Sequence, residues 1–180
     1  MMDHHIFIIG MPGSGKSSLG RKAAANLRVN YVDMDRRISE LLGGTTAEIF
    51  ARWGEQAFRN AETNLLIELT REAPCLVSTG GGTVLREENR AIMRASGEIL
   101  LVDRPLEQIL SDIKLDRRPL LKEKGLGEVE RLYRERIGIY REAADMVLDN
   151  RNGYFAGVTG MEKLIRESWS RPVRRRVHVD

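Results

Sequence analysis

The sequence lacks the features that mark secreted and membrane-spanning proteins. Cys75 is the one cysteine among 180 residues, so no internal disulfide can form, and a single thiol is typical of a reducing compartment. No apolar run approaches the roughly 20 residues that a membrane-spanning helix requires. Since an apolar segment begins almost at the first residue, we expect no signal peptide and interpret His4 and His5 as a solvated leader. These absences predict a cytoplasmic protein without a membrane partner.

A strong excess of charge is also missing. The formal net charge is +3, and residues 114–124 and 171–180 each carry +3, so the rest of the chain carries −3. This distribution argues against a nucleic-acid-binding protein, which would present a continuous basic face. We expect residues 114–124 to lie in a charged mid-chain loop and residues 171–180 to form a basic tail of the kind that is often disordered.

Short apolar strands alternate with helical patterns along the chain. The predicted strands are Ile6–Ile9, Asn30–Asp33, Pro74–Ser78, Ile99–Val102 and Met146–Leu148. The predicted helices are Lys16–Leu27, a helix ending at Leu42, a short helix from the capping box at Thr45 to Trp53, Glu55–Arg71, Glu87–Ala95, a helix opening at Pro105, Glu128–Tyr140 and Val158–Trp169. The alternation predicts one α/β domain over residues 1–170, a three-layer α/β/α structure with a five-stranded parallel sheet.

The first predicted strand runs directly into a phosphate-binding motif. Residues 10–17 read Gly-Met-Pro-Gly-Ser-Gly-Lys-Ser, which fits G-x-x-x-x-G-K-[ST]. Glycines allow positive φ and close approach of the backbone to phosphate, and the following helix adds the positive end of its dipole. The motif assigns Lys16 to the β- and γ-phosphates of a nucleotide and the Ser17 hydroxyl to Mg²⁺. A plain glycine turn is the alternative, but the flanking strand and helix are the context that the motif requires.

Two further strand ends carry residues suited to a ligand site. Asp33 ends the second strand, where its carboxylate could hold Mg²⁺ through water, and Asp35 could accept a hydrogen bond from a substrate hydroxyl. The alternative for Asp35 is a cap on the next helix. Gly80-Gly81-Gly82 follows the third strand, and three glycines there suggest close approach of a ligand to the backbone, with a plain turn as the alternative. Ligands of parallel sheets bind beyond the carboxyl ends of the strands.

Two arginines on predicted helices are candidates for binding a carboxylate. Arg59 lies three residues before Glu62 and can pair with it, and Arg136 lies on a later helix. Both could be ordinary surface groups, but an arginine fork binds a carboxylate with two hydrogen bonds. The chain contains no N-K-x-D, the base-reading motif that a GTPase would need.

In this order the motifs resemble those of the shikimate kinases, a family related to the nucleoside monophosphate kinases. The resemblance covers about Ile6 to Leu148. The matching residues are Gly10–Ser17, Asp33-x-Asp35, Gly54-Glu55-x-x-Phe58-Arg59-x-x-Glu62, Gly80-Gly81-Gly82, Arg118-Pro119-Leu120-Leu121 and Arg136-x-x-x-Tyr140. Phosphate loops are widespread, whereas the other five motifs in this order are specific.

The resemblance implies a P-loop kinase with a mobile lid at about residues 111–126. It implies transfer of the γ-phosphoryl of ATP, with Mg²⁺, to the 3-hydroxyl of shikimate in aromatic amino-acid biosynthesis. The implied catalytic residues are Lys16, Asp35 and Arg118. The implied substrate-binding residues are Asp35, Arg59, Gly80, Gly81, Gly82 and Arg136. The implied nucleotide-binding residues are Gly13, Ser14, Gly15, Lys16, Ser17, Ser18, Arg118 and Arg151, and the implied metal residues are Ser17 and Asp33.

The chain departs from the family pattern near the adenine. The family often carries an arginine at the end of the helix before the lid, but residues 109–114 contain none, and Lys114 is the basic residue nearest that position. Arg151 is the basic residue closest to the position after the last strand. Two other functions remain open from the residues: a kinase of another small hydroxy acid or of a nucleotide, and a nucleotide-binding module without catalysis. We expect a monomer with small-molecule substrates as its partners.

Overall fold

The computed structural model describes residues 3–112 and 125–170. The strands are β1 (His5–Ile9), β2 (Tyr31–Asp33), β3 (Leu76–Ser78), β4 (Gly97–Asp103) and β5 (Met146–Asp149). The helices are α1 (Lys16–Leu27), α2 (Met34–Leu42), α3 (Thr46–Leu69), α4 (Glu87–Ser96), α5 (Leu106–Asp112), α6 (Gly125–Ala143) and α7 (Tyr154–Ser170), with a 3₁₀ turn at Thr83–Leu85. The described residues do not include Arg118, which was assigned to the lid, Lys114, which was considered for the adenine side, or the basic tail 171–180.

The five strands form one parallel sheet in the order β2-β3-β1-β4-β5. The first strand lies in the middle, with the second and third strands on one side and the fourth and fifth on the other. The order of the strands therefore changes direction at β1, and parallel sheets bind ligands beyond the strand ends at such a point. The predicted five-stranded parallel sheet is confirmed.

Two apolar cores lie on opposite faces of the sheet because successive side chains of a strand point in opposite directions. Phe7 and Ile9 pack with residues of α2 to α6. Ile6 and Ile8 pack with residues of α1 and α7. The whole of β1 is buried, as a central strand between two helical layers must be. The three-layer α/β/α prediction is confirmed.

The break in α3 follows from one glycine. Gly54 has φ 77° and ψ 167°, a conformation outside the helical region and strained for residues with a Cβ. The predicted capping box is present at the start of this helix, where Thr45 accepts from the Glu48 backbone and Glu48 accepts from the Thr45 backbone. The two helices predicted on either side of Gly54 are therefore present, and Glu55 opens the second.

Several predicted boundaries are wrong by a few residues. The strand β4 begins at Gly97 and α7 begins at Tyr154, both earlier than predicted. Residues 111–112 and 125–126, at the two ends of the predicted lid, are helical, and the extent of the lid stays a prediction. The prediction that His5 belongs to a solvated leader is also wrong, because His5 is the first residue of β1 and is only 4% exposed. No helix in the described part of the chain is long and apolar enough to cross a membrane.

Candidate active site

The phosphate-binding motif forms a loop between β1 and α1 with its lysine folded inside. Gly10, Gly13 and Gly15 all have positive φ, which the predicted role of these glycines requires. Lys16 is 8% exposed, and its Nζ donates to the carbonyls of Gly10 at 2.9 Å and Met11 at 3.0 Å. The N-cap residue of α1 is Gly15, which has no side chain to cap the helix, and the positive end of the helix dipole there favours an anion.

Ser17 and Asp33 lie near each other beside this loop. The Tyr31 hydroxyl lies 3.2 Å from the Ser17 carbonyl and 3.3 Å from Asp33 Oδ2, and donates toward both. Burial and the Asp33 charge raise the pKa of Tyr31 to about 12, so the phenol keeps the proton that it donates. Ser17 Oγ lies 3.2 Å from Ser78 Oγ at the end of β3. These oxygen donors suit Mg²⁺, which is typically bound by one or two protein groups together with phosphates and water.

Asp33 and not Asp35 caps the next helix. The Asp33 carboxylate accepts from the Arg36 backbone N–H at 3.3 Å, so capping does not explain Asp35. Burial is the main cause of a raised pKa for Asp35, Lys16 opposes the rise, and Glu62 reinforces it. Asp35 therefore lies within electrostatic reach of both the phosphate loop and the carboxylate of Glu62.

The triple glycine leaves space for three charged side chains. A Cβ atom at Gly80 would lie 2.6 Å from Asp35 Oδ1 and 2.6 Å from Glu62 Oε1. A Cβ atom at Gly82 would overlap the guanidinium of Arg59. At both positions the backbone is closely approached by the protein's own side chains, which a Cβ atom would displace. Approach of a ligand to this turn stays a prediction.

Arg59 is held by carboxylates on its own helix. Its Nη1 donates to Glu62 Oε2 at 2.6 Å, and its Nη2 donates to Glu55 Oε1 at 3.0 Å. Glu62 is fully buried, and it also accepts from the Thr83 hydroxyl at 2.5 Å, whereas the Glu55 side chain is 65% exposed. The predicted pairing of Arg59 with Glu62 is confirmed, and the burial of Glu62 is a tertiary effect.

Arg136 reaches the same turn from α6. Its Nη1 donates to the Gly81 carbonyl at 3.4 Å, and the Tyr140 hydroxyl donates to the same oxygen at 2.5 Å. Arg59 contacts Gly82 and Arg136 contacts Gly81, so the fold brings the two arginines to consecutive residues of one turn. The two arginines that were predicted to bind one carboxylate therefore reach the same turn, and that shared role stays a prediction.

Three polar residues beyond the motifs connect the nucleotide side of the site. Arg104 directly follows β4, and its Nη1 donates to the Gly13 carbonyl at 3.2 Å. Asn150 directly follows β5, and its Nδ2 donates to the Ser14 carbonyl at 2.8 Å. Gln108 donates to the Arg151 carbonyl at 3.1 Å. These residues were not predicted from the sequence. For Arg104 and Asn150 the available indication was their position directly after a strand, whereas Gln108 lies within α5 and had none.

The side chains of Arg151 and Ser18, which were assigned to the nucleotide, have their observed contacts with neighbouring residues of the chain. The Arg151 guanidinium pairs with Asp149 at 2.7 Å and is 62% exposed. The Ser18 hydroxyl donates to the Gly15 carbonyl at 3.0 Å, within the first turn of α1. Their assignment to the nucleotide remains a prediction, as does that of Arg118.

Comparison with known proteins gives a consistent result. A family model described as shikimate kinase matches residues 12–159. A shikimate kinase of Clostridium beijerinckii is 41% identical over 149 residues, covering 83% of this chain and 87% of that protein. Another, of Aromatoleum aromaticum, is 38% identical and covers 89% of this chain and 94% of that protein.

Solved structures agree with the sequence relatives. A shikimate kinase from Acinetobacter baumannii in complex with shikimate superposes with a TM-score of 0.83 at 32% identity, over 93% of each chain. The shikimate kinase of Aquifex aeolicus gives a TM-score of 0.78 at 32% identity, covering 91% of this chain and 96% of that one. Because the family model and the relatives match most of its length, the chain belongs to the shikimate kinase family, and it is an ATP-dependent phosphotransferase.

Proposed function

We propose that the protein transfers the γ-phosphoryl group of ATP to the 3-hydroxyl of shikimate. The observation that carries this proposal is the position of Asp35. A Cβ atom at Gly80 would lie 2.6 Å both from the Asp35 carboxylate and from Glu62, which pairs with Arg59. Burial raises the pKa of Asp35, and the charge of Lys16 in the phosphate loop opposes that rise. A compact acceptor bound to the arginines would therefore present a hydroxyl to Asp35 while the nucleotide lies in the loop.

The acceptor side is built to bind a carboxylate. Arg59 and Arg136 both reach the triple glycine, and a guanidinium can donate two parallel N–H groups to one carboxylate. In Arg59 the Nε and Nη2 groups donate to the exposed Glu55, which the substrate carboxylate would replace. Gly81 contributes its backbone, whose carbonyl is already oriented by Tyr140. Asp35 then orients the acceptor hydroxyl and accepts its proton, a role for which the raised pKa of its carboxyl is suited.

The nucleotide side supplies positive charge to the phosphates. Lys16 and backbone N–H groups of the phosphate loop bind the phosphates, and Ser17 with Asp33 would hold Mg²⁺, which neutralises phosphate charge when bound. The resemblance assigns Arg118 to the transferring phosphoryl group. Phosphoryl transfer depends on positioning and charge stabilisation more than on covalent chemistry, and these residues provide both.

A coupled assay of ADP release tests the proposal. We expect ADP release with shikimate and none above background with gluconate, with a nucleoside monophosphate or without an acceptor. Lys16→Met is the inactive control, because its ammonium acts on phosphate, and it should keep a normal circular-dichroism melt. ADP release with gluconate or a nucleotide but not with shikimate would make this a kinase of another acceptor. ATP binding without turnover on any of them would make it a non-catalytic module.

A shikimate analogue tests the carboxylate clamp directly. Replacing the carboxylate by a neutral amide removes the group that Arg59 and Arg136 are proposed to bind. We expect kcat/KM for the analogue to fall by at least a hundredfold, since two charge-assisted contacts are lost. Equal phosphorylation of the analogue and of shikimate would contradict the clamp.

A further inference from the structure

Two side chains hold consecutive carbonyl groups of the phosphate loop from outside. Arg104 donates to the Gly13 carbonyl at 3.2 Å, and Asn150 donates to the Ser14 carbonyl at 2.8 Å. These donors lie 91 and 136 positions away in the chain. They reach the loop because β4 pairs with β1 and β5 pairs with β4, all in parallel, so the carboxyl ends of the three strands lie at the same edge of the sheet. Neither residue belongs to the phosphate-binding motif.

The direction of a carbonyl decides the direction of the next N–H group. In a planar trans peptide the C=O of one residue and the N–H of the next point in opposite directions. A donor that draws the Ser14 carbonyl outward therefore turns the Gly15 N–H inward. A donor on the Gly13 carbonyl fixes the next peptide group, whose Ser14 N–H donates to the Met11 carbonyl at 3.1 Å, and so holds the shape of the loop. Phosphate-binding loops depend on such inward N–H groups.

Asn150 is buried and closely packed, although its Oδ1 has no hydrogen-bond partner among the described residues. It is 6% exposed, and its backbone N–H donates to the Asp103 carbonyl at 2.8 Å. A Cβ atom at Gly15 would lie 3.0 Å from its Nδ2, and one at Gly157 would lie 2.5 Å from its Oδ1. The Asn150 amide thus packs between the phosphate loop and α7, and glycine at positions 15 and 157 leaves the space for it.

Arg104 is fixed by polar partners on α5. Its Nε donates to Gln108 at 3.4 Å, and its Nη2 pairs with Asp112. Its side chain is 18% exposed. The donors of a guanidinium form a rigid planar fork. Gln108 and Asp112 therefore fix the orientation of the whole group and keep its Nη1 directed at the Gly13 carbonyl.

We propose that Arg104 and Asn150 are positioning residues of the nucleotide site, which hold the backbone of the phosphate loop in the conformation that binds the nucleotide, Asn150 by directing the Gly15 N–H inward and Arg104 by fixing the peptide group between Gly13 and Ser14. The inference rests on the proposed function, in which this loop binds the phosphates of ATP. Neither residue touches the acceptor side, so both act on nucleotide affinity and leave acceptor affinity unchanged.

The test compares four variants with two matched controls. Asn150→Ala removes the donor, and Asn150→Asp keeps the volume but replaces the donor by an acceptor. Arg104→Ala removes the second donor, and Arg104→Lys keeps one. The controls are Asn152→Ala, at an exposed neighbour, and Arg141→Ala, whose exposed guanidinium pairs with Asp103. The readouts are the Kd for ADP by calorimetry without acceptor, and the KM values for ATP and shikimate.

We expect the Kd for ADP to rise about tenfold in Asn150→Ala and Arg104→Ala, the size expected when one hydrogen bond to the loop is lost. Asn150→Asp should bind ADP no better than Asn150→Ala, whereas a role in packing alone would make Asp the milder change. Arg104→Lys should recover most of the affinity. The KM for shikimate at saturating ATP and both controls should stay within about twofold of wild type.

An ADP Kd within twofold of wild type in the folded Arg104→Ala and Asn150→Asp proteins would overturn the inference. Equal loss of ADP and shikimate affinity would overturn it too, because that pattern indicates general loosening. If the Asn150 variants do not fold, the Arg104 pair decides alone. A wild-type protein that binds ADP but does not phosphorylate shikimate contradicts the proposed acceptor, and the ADP measurements still decide the inference.

Discussion

Replacing Arg59 perturbs both the acceptor site and the buried charge beneath it. Arg59→Ala removes the 2.6 Å partner of Glu62, a carboxylate with no exposed surface. Breaking a buried pair costs 3–5 kcal/mol, and we expect about 3 kcal/mol in the free energy of unfolding because the Thr83 hydroxyl still donates to Glu62. Urea unfolding followed by circular dichroism measures this loss.

The same substitution should remove much of the acceptor binding. If Arg59 forms half of the clamp, kcat/KM for shikimate should fall. The fall should correspond to a loss of about 2–5 kcal/mol in transition-state stabilisation, since a desolvated carboxylate loses a charged partner. The KM for ATP should change little, and Arg59→Lys should rescue poorly because an ammonium cannot form the fork. Arg136→Ala should depress kcat/KM similarly, and the double substitution should be non-additive.

A double variant separates stability from acceptor binding. Arg59→Met with Glu62→Gln replaces the ion pair by neutral side chains of similar volume, and should recover most of the lost unfolding free energy. It should not recover kcat/KM. As a control, Arg131→Ala removes an exposed arginine paired with Glu128 and Glu135, and should change the unfolding free energy by less than about 1 kcal/mol. Recovery of both stability and turnover in the double variant would refute the reasoning.

Three further predictions concern neighbouring groups. Glu55→Gln should lower the KM for shikimate by about twofold with kcat unchanged, because Glu55 competes for Arg59 through an exposed i,i+4 pair; a raised KM would contradict this competition. Arg118→Ala should lower kcat by more than it raises the KM for shikimate, in steady-state kinetics, since the resemblance assigns it to the transferring group, and a pure KM effect would show ground-state binding alone. Burial lowers the pKa of His5 below 6.5, so the unfolded chain binds the proton more readily and stability should fall as pH decreases below about 6.5. Urea midpoints between pH 8 and 5 measure that slope, His5→Gln should reduce it, and an unchanged slope would show that His5 is not responsible.

The sequence alone determined the elements and motifs that depend on local physics. Apolar β-branched runs, glycine spacing and the capping box at Thr45 specify strand, loop and helix start through interactions within a few residues. Alternation of strands and helices was sufficient to predict a parallel sheet, because parallel neighbours need a crossover. The resemblance then identified Asp35, Arg59 and Arg136 as a group.

Only the tertiary structure decided how these residues are used. Strand order brings Arg104 and Asn150 to the phosphate loop, and no local pattern encodes a contact across 91 or 136 positions. Pairing of His5 with Gly97 extends β1 by one residue and buries an imidazole that the sequence suggested was solvated. Glu62 shows the same dependence, since its i,i+3 spacing to Arg59 predicts a pair on any helix, but packing against the triple glycine and Thr83 removes that pair from water and makes its charge costly to expose.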